Sequence, residues 1–364
     1  MGEWKEYKLG EVLTFQRGYD LPKSEMNGGD IPVAGSNGVI GYHNQYTTKG
    51  PGITIGRSGN IGIPKFYKDN FWAHNTVLYV KDFHGSDERF MYYFLQTVDF
   101  TQFNTGSAVP SLNRNHIHEL RVFIPPLSEQ KRIASILRSL DDKIDLLQRE
   151  NKTLEAMAET LFNKTLSDKE NDGTIEQFVS IQNGYAFKSK DFQEHGINGV
   201  IKIKNISGGV IDINKTDCID SNIVQGISPK FKVHTGDILI AMTGAEIGKL
   251  GIIPSTNKNL WLNQRVGMLA ERYPGAKYIA YLQLKSDYGL DYVENTATGS
   301  AQPNISSSAI ENCGFPLLDV SAIKALAYQL EGLYEKIIHN LGHINGLELL
   351  RNELLIQLMD NTNL

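Results

Sequence analysis

The residues whose types and spacing could support catalysis are few, and none belongs to a complete catalytic set. The tripeptides at 129–131 and 150–152 have the Glu-x-Lys shape found in many nucleases, but no upstream Pro-Asp supplies the remaining metal ligands. Residues 244–250 fail the phosphate-binding-loop pattern in spacing and in the residue after the lysine. No Asn-Pro-Pro-aromatic segment is present to hold an adenine for methyl transfer. We therefore expect no catalysis from this chain.

A metal or phosphate site is also weakly indicated. His116 and His118 lie two apart in a predicted loop with no carboxylate or cysteine cluster, so loop polarity or a phosphate contact explains them better than a metal. The glycine-rich segment 56–62 resembles a phosphate-binding loop, but glycines that lead a strand into a turn explain it more simply. Cys218 and Cys313 are the only cysteines and form no Cys-x-x-Cys motif, which argues against disulfides and thiolate metal sites. We predict no metal in this chain.

Hydrogen-bonding side chains beside glycines and turns form a more informative set. Arginine pairs with guanine, and asparagine or glutamine with adenine, at the base edges that the major groove of DNA exposes. Any single member is equally well explained as solvated loop polarity, so the prediction rests on the set. The predicted DNA-contacting residues are Gln16, Arg17, Tyr19, Ser36, Asn37, Arg57, Ser58, Asn60, Ser107, Asn113, Arg114, Gln182, Asn183, Tyr185, Lys202, Lys204, Asn205, Lys249, Gln264, Arg265, Ser300, Gln302 and Asn304.

The elements that must position these residues occur twice in the chain. Landmarks recur in the same order with offsets that grow along the chain, which indicates one framework with loops of different length. The period is far longer than the roughly 20–50 residues of solenoid repeats, so this is a domain duplication. Two copies with different loops suit the recognition of two different targets. The paired segments are 105–110 with 298–303, 16–19 with 182–185, 55–62 with 240–248, and Trp72 with Trp261.

Each copy is followed by a long helix with heptad spacing. One apolar stripe runs from Ile133 to Leu161 and the other from Ile323 to Leu358, and each carries one asparagine near its middle, Asn151 and Asn340. Matched stripes of similar length predict an antiparallel coiled coil, in which facing asparagines would fix the register because a lone buried amide opposite leucine stays unpaired. The alternative is that each stripe packs on its own domain.

The predicted fold class is α+β, with short strands, many turn glycines and one helix of about ten residues in each copy. Ser128 is the predicted N-cap of the first long helix. The predicted boundaries are 1–127 for the first target-recognition domain, 128–166 for the first helix, 167–172 for a linker, 173–318 for the second domain and 319–360 for the second helix.

The net charge of −5 is carried by the helical segments. Basic against acidic residues number 12 against 12 in 1–127 and 13 against 13 in 173–318, but 8 against 10 in 128–172 and 3 against 6 in 319–364. Neutral domains lack the basic field that drives non-specific DNA affinity, so a DNA-binding role would need partner proteins. The chain has no signal-like start and no apolar run of ~18 residues, so we expect a soluble, cytoplasmic protein without membrane contact.

Three features together resemble the DNA-specificity subunit of a type I restriction-modification system. They are residues 4–12 with Gly18, the two Thr-Gly-Ser-Ala-x-Pro strings, and the segment 124–134 (IPPLSEQKRIA) that leads into a heptad helix. The resemblance covers essentially the whole chain. The second copy departs from it at 315–323, where the Glu-Gln-Lys is missing, so the two helix starts are expected to differ.

The resemblance implies a non-catalytic subunit. Its two target-recognition domains each read one half of a bipartite, asymmetric site in double-stranded DNA, and its coiled coil sets the spacer and docks methyltransferase subunits. Those subunits methylate adenine with S-adenosylmethionine, and a motor-nuclease (restriction) subunit joins them to cut DNA with ATP and Mg²⁺. No cofactor is expected in this chain. The alternative from another class is a duplicated coiled-coil adaptor that binds protein partners.

Overall fold

The computed structural model describes residues 3–26, 28–103, 111–299 and 303–359. The predicted contacts Ser107, Ser300 and Gln302 lie outside the described residues. The chain divides into two compact units. Unit 1 comprises 1–143 with 347–364, and unit 2 comprises 144–346.

Unit 1 is an α+β unit in which short strands and helices share one buried core. A four-stranded antiparallel sheet has the order β2-β8-β5-β6, a three-stranded sheet the order β4-β3-β7, and β1 pairs with β9. The Asp87 carboxylate caps α2 by accepting from the Phe90 amide, and the apolar face of α2 is buried. The elements are β1 (Lys5–Lys8), α1 (Leu9–Val12), β2 (Thr14–Arg17), β3 (Ile31–Gly35), β4 (Gly38–His43), β5 (Gly52–Gly56), β6 (Pro64–Tyr67), β7 (Trp72–Ala73), β8 (Val77–Asp82), α2 (Glu88–Thr97), α3 (Arg114–His118), β9 (Arg121–Ile124) and the first part of α4 (Leu127–Leu166).

Unit 2 has a larger version of the same plan. Its sheets have the orders β11-β21-β18-β19-β15-β14 and β12-β16-β13-β20-β17, and β10 pairs with β22. The elements are β10 (Gly173–Thr174), β11 (Val179–Asn183), β12 (Phe192–Gln193), β13 (Asn198–Ile201), β14 (Ile206–Ser207), β15 (Gly209–Ile211), β16 (Asp217–Ile219), α5 (Ser221–Gln225), β17 (Lys232–Val233), β18 (Ile238–Ala241), β19 (Leu250–Ile252), β20 (Asn259–Leu262), β21 (Val266–Glu271), α6 (Ala276–Lys285), α7 (Asp287–Thr296), α8 (Ser307–Glu311), β22 (Gly314–Phe315) and most of α9 (Val320–Met359).

The two units repeat one topology. The order β2-β8-β5-β6 of unit 1 returns in unit 2 as β11-β21-β18-β19. Each second sheet contains a parallel pair, β3 with β7 in unit 1 and β13 with β20 in unit 2, which aligns Ala34 with Ala73 and Ile201 with Leu262. The predicted α+β class with duplicated domains and two long helices is confirmed.

The long helices α4 and α9 each have 40 residues, within one residue of the predicted ends. The predicted N-cap role of Ser128 is wrong. Helix α4 begins at Leu127, and the amides of Glu129 and Gln130 both donate to the Pro126 carbonyl, so Ser128 lies inside the first turn. Pro126 has no backbone N–H with which to continue a helix towards the N-terminus, so the helix starts directly after it.

Glutamine side chains hold the two helix starts by different routes. In unit 1 the buried Gln130 accepts from the Asp87 amide (2.8 Å) and donates to the Pro125 carbonyl (3.0 Å). In unit 2 Gln177, which precedes β11, donates to the Thr174 carbonyl (2.7 Å) and accepts from the Leu318 amide (3.3 Å). The missing Glu-Gln-Lys of the second copy is thus replaced by a glutamine from outside the helix.

The two asparagines predicted to face each other are paired in unit 2. Asn340 Nδ2 donates to Asn151 Oδ1 at 2.9 Å and to Glu150 Oε2 at 3.0 Å, and both asparagines are buried. In unit 1 the second apolar stripe is interrupted by Arg351, which pairs with Asp141 (Nη1 to Oδ1, 3.0 Å). The Arg351 cation is thereby neutralised where the stripe is otherwise apolar.

Among the described residues, no helix combines the length and the apolarity that a bilayer crossing needs.

Candidate nucleic-acid interface

Main-chain hydrogen bonds hold the candidate loop residues of unit 1. The Arg57 amide donates to the Thr76 carbonyl (2.8 Å), and the Arg57 carbonyl accepts from the Leu112 amide (2.9 Å). Ser58 forms an antiparallel bridge with Ser111. The backbone around Arg57 is therefore fixed by hydrogen bonds to segments on both sides, and the Arg57 side chain takes no part in these bonds.

The same bonds recur in unit 2 with different side chains. The Met242 amide donates to the Arg265 carbonyl (3.1 Å), the Met242 carbonyl accepts from the Ile305 amide (3.0 Å), and Thr243 bridges Asn304. Met242 is thus the counterpart of Arg57, and Arg265 the counterpart of Thr76. Each unit carries one arginine at this junction, but the arginine follows β5 in unit 1 and precedes β21 in unit 2.

Both units have a Gly-Tyr dipeptide directly after an equivalent strand, β2 in unit 1 and β11 in unit 2. The Tyr19 amide donates to the Ala73 carbonyl (2.7 Å), and the Tyr185 amide donates to the Leu262 carbonyl (2.8 Å). A Cβ on Gly18 would lie 2.1 Å from a carbonyl oxygen, and one on Gly184 would lie 2.2 Å from another, so only glycine fits. Both tyrosines remain partly exposed.

Aromatic neighbours fix the two tyrosine rings. The hydroxyls of Tyr19 and Tyr79 lie 3.3 Å apart, and burial followed by this hydrogen bond raises the pKa of Tyr79. Tyr185 packs edge-on against Phe187 and Phe231. Rigid, half-exposed rings of this kind offer a contact surface at low entropic cost.

The predicted loop at His116 and His118 is wrong, because both belong to the short helix α3. The Asn113 side chain caps α3 by accepting from the Asn115 amide, and His118 Nε2 accepts from the Phe15 amide at 2.9 Å. Burial and then the Arg114 charge lower the pKa of His118. His118 is therefore a neutral structural acceptor.

In unit 2 a side chain of the equivalent short helix also accepts a hydrogen bond from a strand amide, but the acceptor is a carboxylate. Ser306 caps α8, and Glu311 at the end of α8 accepts from the Ile181 amide at 2.6 Å through Oε1. The sequence did not reveal the acceptor roles of His118 and Glu311, because no local pattern marks a side chain that accepts a hydrogen bond from a strand distant in sequence. The capping residues Asn113 and Ser306 were a usable signal for the two short helices.

Four predicted residues of unit 1 meet in one pocket of about 490 Å³. Its lining includes Arg17, Arg57, Asn113 and Arg114. Arg17 makes a long ion pair with Asp20 (3.4 Å), and both side chains are more than half exposed. Arg57 Nη1 donates to the Asn75 carbonyl at 3.4 Å. Three guanidinium groups therefore border one concavity, and Asp20 compensates part of their charge through its ion pair with Arg17.

The three corresponding positions of unit 2 carry no charge, although Arg265 lies at the same junction. Asn183 stands where unit 1 has Arg17, and Ser307 where it has Arg114. The Ser307 hydroxyl donates to Asn183 Oδ1 at 2.8 Å, and Gln182 donates to the Asn183 carbonyl at 2.6 Å. With Met242 in place of Arg57, none of the three arginines has a charged counterpart.

One predicted contact is corrected by the structure. Asn205 is 1% exposed, and its side chain accepts from the Lys202 amide (2.9 Å) and donates to the carbonyls of Asp212 (3.3 Å) and Lys215 (3.0 Å). A side chain whose amide groups are all used in the interior has none to offer a base. Asn205 is therefore a structural residue and is not available to contact DNA.

Two neighbouring lysines share one carboxylate. Lys202 and Lys204 both pair with Asp217, at 2.7 and 2.8 Å, and these hydrogen bonds lower the pKa of Asp217. Lys202 also lies over the Phe192 ring, 3.2 Å from its centroid. DNA would have to compete with Asp217 for these ammonium groups.

The other predicted residues lie on turns and strand ends. Ser36 and Asn37 form the two-residue turn between β3 and β4, and Lys249 pairs with Glu246. Gln264 and Arg265, which follow β20, are exposed, as is Asn60, which follows β5. Gln16, at the end of β2, is half-buried.

Comparison with known proteins gives the family. The model of the type I restriction modification DNA specificity domain matches this chain twice, at residues 1–156 and 168–345. The chain belongs to this family.

Curated specificity subunits are similar to this member of the family. The MjaVIII specificity subunit of Methanocaldococcus jannaschii is 27% identical over 272 residues, which are 68% of this chain and 63% of that protein. The MjaIX specificity subunit of the same organism is 22% identical over 98% of this chain and 93% of its own length. The EcoprrI specificity subunit of Escherichia coli is 28% identical over 40% of this chain and 37% of its own length. The chain thus spans less than two thirds of several of the relatives that it matches.

The fold of this specificity-domain protein has a solved counterpart. The crystal structure of a type I restriction-modification S subunit from M. genitalium aligns with 99% of this chain and 96% of its own, with a TM-score of 0.66 and 16% identity. Within the described ranges, no group of three or more histidine, cysteine or acidic side chains is arranged to hold a metal ion.

Proposed function

We propose that this chain is the DNA-specificity subunit of a type I restriction-modification complex, and that its two target-recognition domains each read one half of a bipartite, asymmetric site. The observation that carries the proposal is the main-chain framework that both units repeat, on which they place different side chains, such as Thr76 in unit 1 and the exposed Arg265 in unit 2. Direct readout needs fixed backbones with variable side chains at the base edges.

The same proposal assigns the remaining tasks. The helices set the spacer between the half-sites and dock methyltransferase subunits, and the asparagine pair fixes their register. Catalysis belongs to partner subunits, with S-adenosylmethionine, ATP and Mg²⁺ bound there. The cytoplasm is the compartment where such a complex meets DNA. Near-neutral recognition domains suit this division, because partner subunits can supply the phosphate clamp.

Exchange of one domain tests the proposal. Residues 173–318 are replaced by the same region of a relative, and bound DNA is selected from random sequence with and without a methyltransferase partner. We expect one half of the selected site to change and the other half to stay. A change in both halves would contradict modular readout, and no sequence preference in either complex would favour the adaptor function instead.

A further inference from the structure

The pocket bordered by Arg17, Arg57 and Arg114 carries three positively charged side chains. Unit 2 forms the same fold without charged residues at the three equivalent positions. Its three counterparts, Asn183, Met242 and Ser307, occupy the same main-chain positions without any charge. The framework hydrogen bonds form in both units, at 2.8 and 2.9 Å around Arg57 and at 3.1 and 3.0 Å around Met242, so an arginine is not required to hold this backbone. Their function therefore lies with something outside the chain.

The charge of the pocket decides which ligand fits it. A guanine edge is neutral and offers two acceptors, which one arginine saturates through a bidentate contact. Two further guanidinium groups around a neutral base would repel each other without compensation. A phosphate group carries a full negative charge and several acceptor oxygens, and arginine binds it through charge-assisted, bidentate hydrogen bonds.

We propose that Arg17, Arg57 and Arg114 form a site for one DNA backbone phosphate, present in the first recognition domain and absent from the second. This inference rests on the proposed DNA-recognition function and divides its residue set. Arg57 anchors the backbone, while Arg265, whose counterpart is Thr76, remains a base-reading candidate. The first domain thus contributes a salt-sensitive anchor that the second domain lacks.

The chain supplies its own matched variants. Substituting R17N, R57M and R114S installs the residues that unit 2 uses at the same places, so a compatible fold is expected. The control triple K49S, K65S and K81S removes the same charge from exposed lysines of unit 1 that do not border the pocket. A second variant, R17K/R57K/R114K, keeps the charge but loses the planar fork.

The assay measures the dissociation constant of the full chain, assembled with its methyltransferase partner, for its selected DNA site at several KCl concentrations. We expect the R17N/R57M/R114S triple to weaken binding roughly 10- to 100-fold. The same triple should lower the slope of log Kd against log salt by about 0.9, which corresponds to one phosphate. The lysine variant should keep the slope, and the control triple should leave affinity and slope near wild type.

Sequence dependence separates a phosphate from a base. For a phosphate site, the loss should be equal on the target and on targets with single base changes in either half. A loss confined to one base pair, an unchanged slope, or an equal slope change in the control triple would overturn the proposal. A wild-type complex that shows no sequence preference would instead refute the DNA-recognition function, so the two failures are distinguishable.

Discussion

The buried asparagine pair of the long helices gives the sharpest energetic prediction. Asn151→Leu removes the 2.9 Å hydrogen bond to Asn340 but leaves the 3.0 Å bond from Asn340 to Glu150. We expect this single substitution to lower the free energy of unfolding by about 1 kcal/mol. Asn340→Leu leaves the buried Asn151 Oδ1 without its partner, and the expected cost is about 1–2 kcal/mol.

The double variant should behave differently from the sum of its parts. Two leucines at Asn151 and Asn340 would pack as the rest of the heptad stripe does, with no unpaired polar atom between them. Replacing both partners of a buried hydrogen bond is often nearly neutral, so we expect a total change close to zero. The coupling energy between the positions should then be about 2 kcal/mol.

Tryptophan fluorescence makes the measurement specific to unit 2. Of the three tryptophans, Trp261 lies in unit 2, so replacing Trp4 and Trp72 with phenylalanine leaves one reporter there. Urea unfolding gives the four free energies of the cycle. Asn163→Leu, at an exposed position of α4, is the control and should change stability by less than about 0.5 kcal/mol. Additive single effects in the double variant would refute the reasoning.

Three further predictions concern single residues. The pKa of His118 is lowered in the fold, so the neutral ring stabilises the fold above about pH 6.5, and this contribution is lost as the pH falls through the lowered pKa. The variant H118Q should keep an acceptor for the Phe15 amide and lose less stability between pH 7 and 5 in urea titrations. An unchanged pH dependence of stability would contradict this. Gly18→Ala places a Cβ 2.1 Å from the His74 oxygen and should cost about 2–4 kcal/mol in thermal or urea unfolding, so a stable variant would show that the strand end can move. Gly332→Ala fills open space on α9 and should stabilise by about 0.5–1 kcal/mol, whereas a loss would show an unrecognised contact.

The periodic part of the molecule could be predicted from the sequence. Heptad spacing is a local signal repeated over many turns, so both long helices were placed within one residue of their observed ends. The asparagine pairing followed from the cost of a lone buried amide, and Asn151 and Asn340 do form a hydrogen bond. The duplication was visible because turn glycines such as Gly18 keep their identity where a backbone approaches closely.

The grouping of the site residues could not be predicted in the same way. Arg17, Arg57 and Arg114 are far apart in sequence, and only the tertiary fold brings them to one pocket. Pairing segment 55–62 with 240–248 aligns Arg57 with Met242, but the sequence does not show that backbone bonds from Leu112 and Ile305 hold both positions. The five-residue helix α3 was missed because a single turn and a half shows no periodicity.

The backbone junction that joins each central strand to its neighbours bears on how such a protein can diverge. Leu112 and Ile305 donate their amides to equivalent carbonyls, so the geometry of the junction is independent of the side chains at Arg57 and Met242. Arg57 is only partly buried and can therefore change without disturbing these bonds, whereas Met242 is buried in the core of unit 2 and tolerates mainly apolar side chains of similar size. Laboratory libraries that randomise Arg57 should therefore contain more folded members than libraries that randomise Met242.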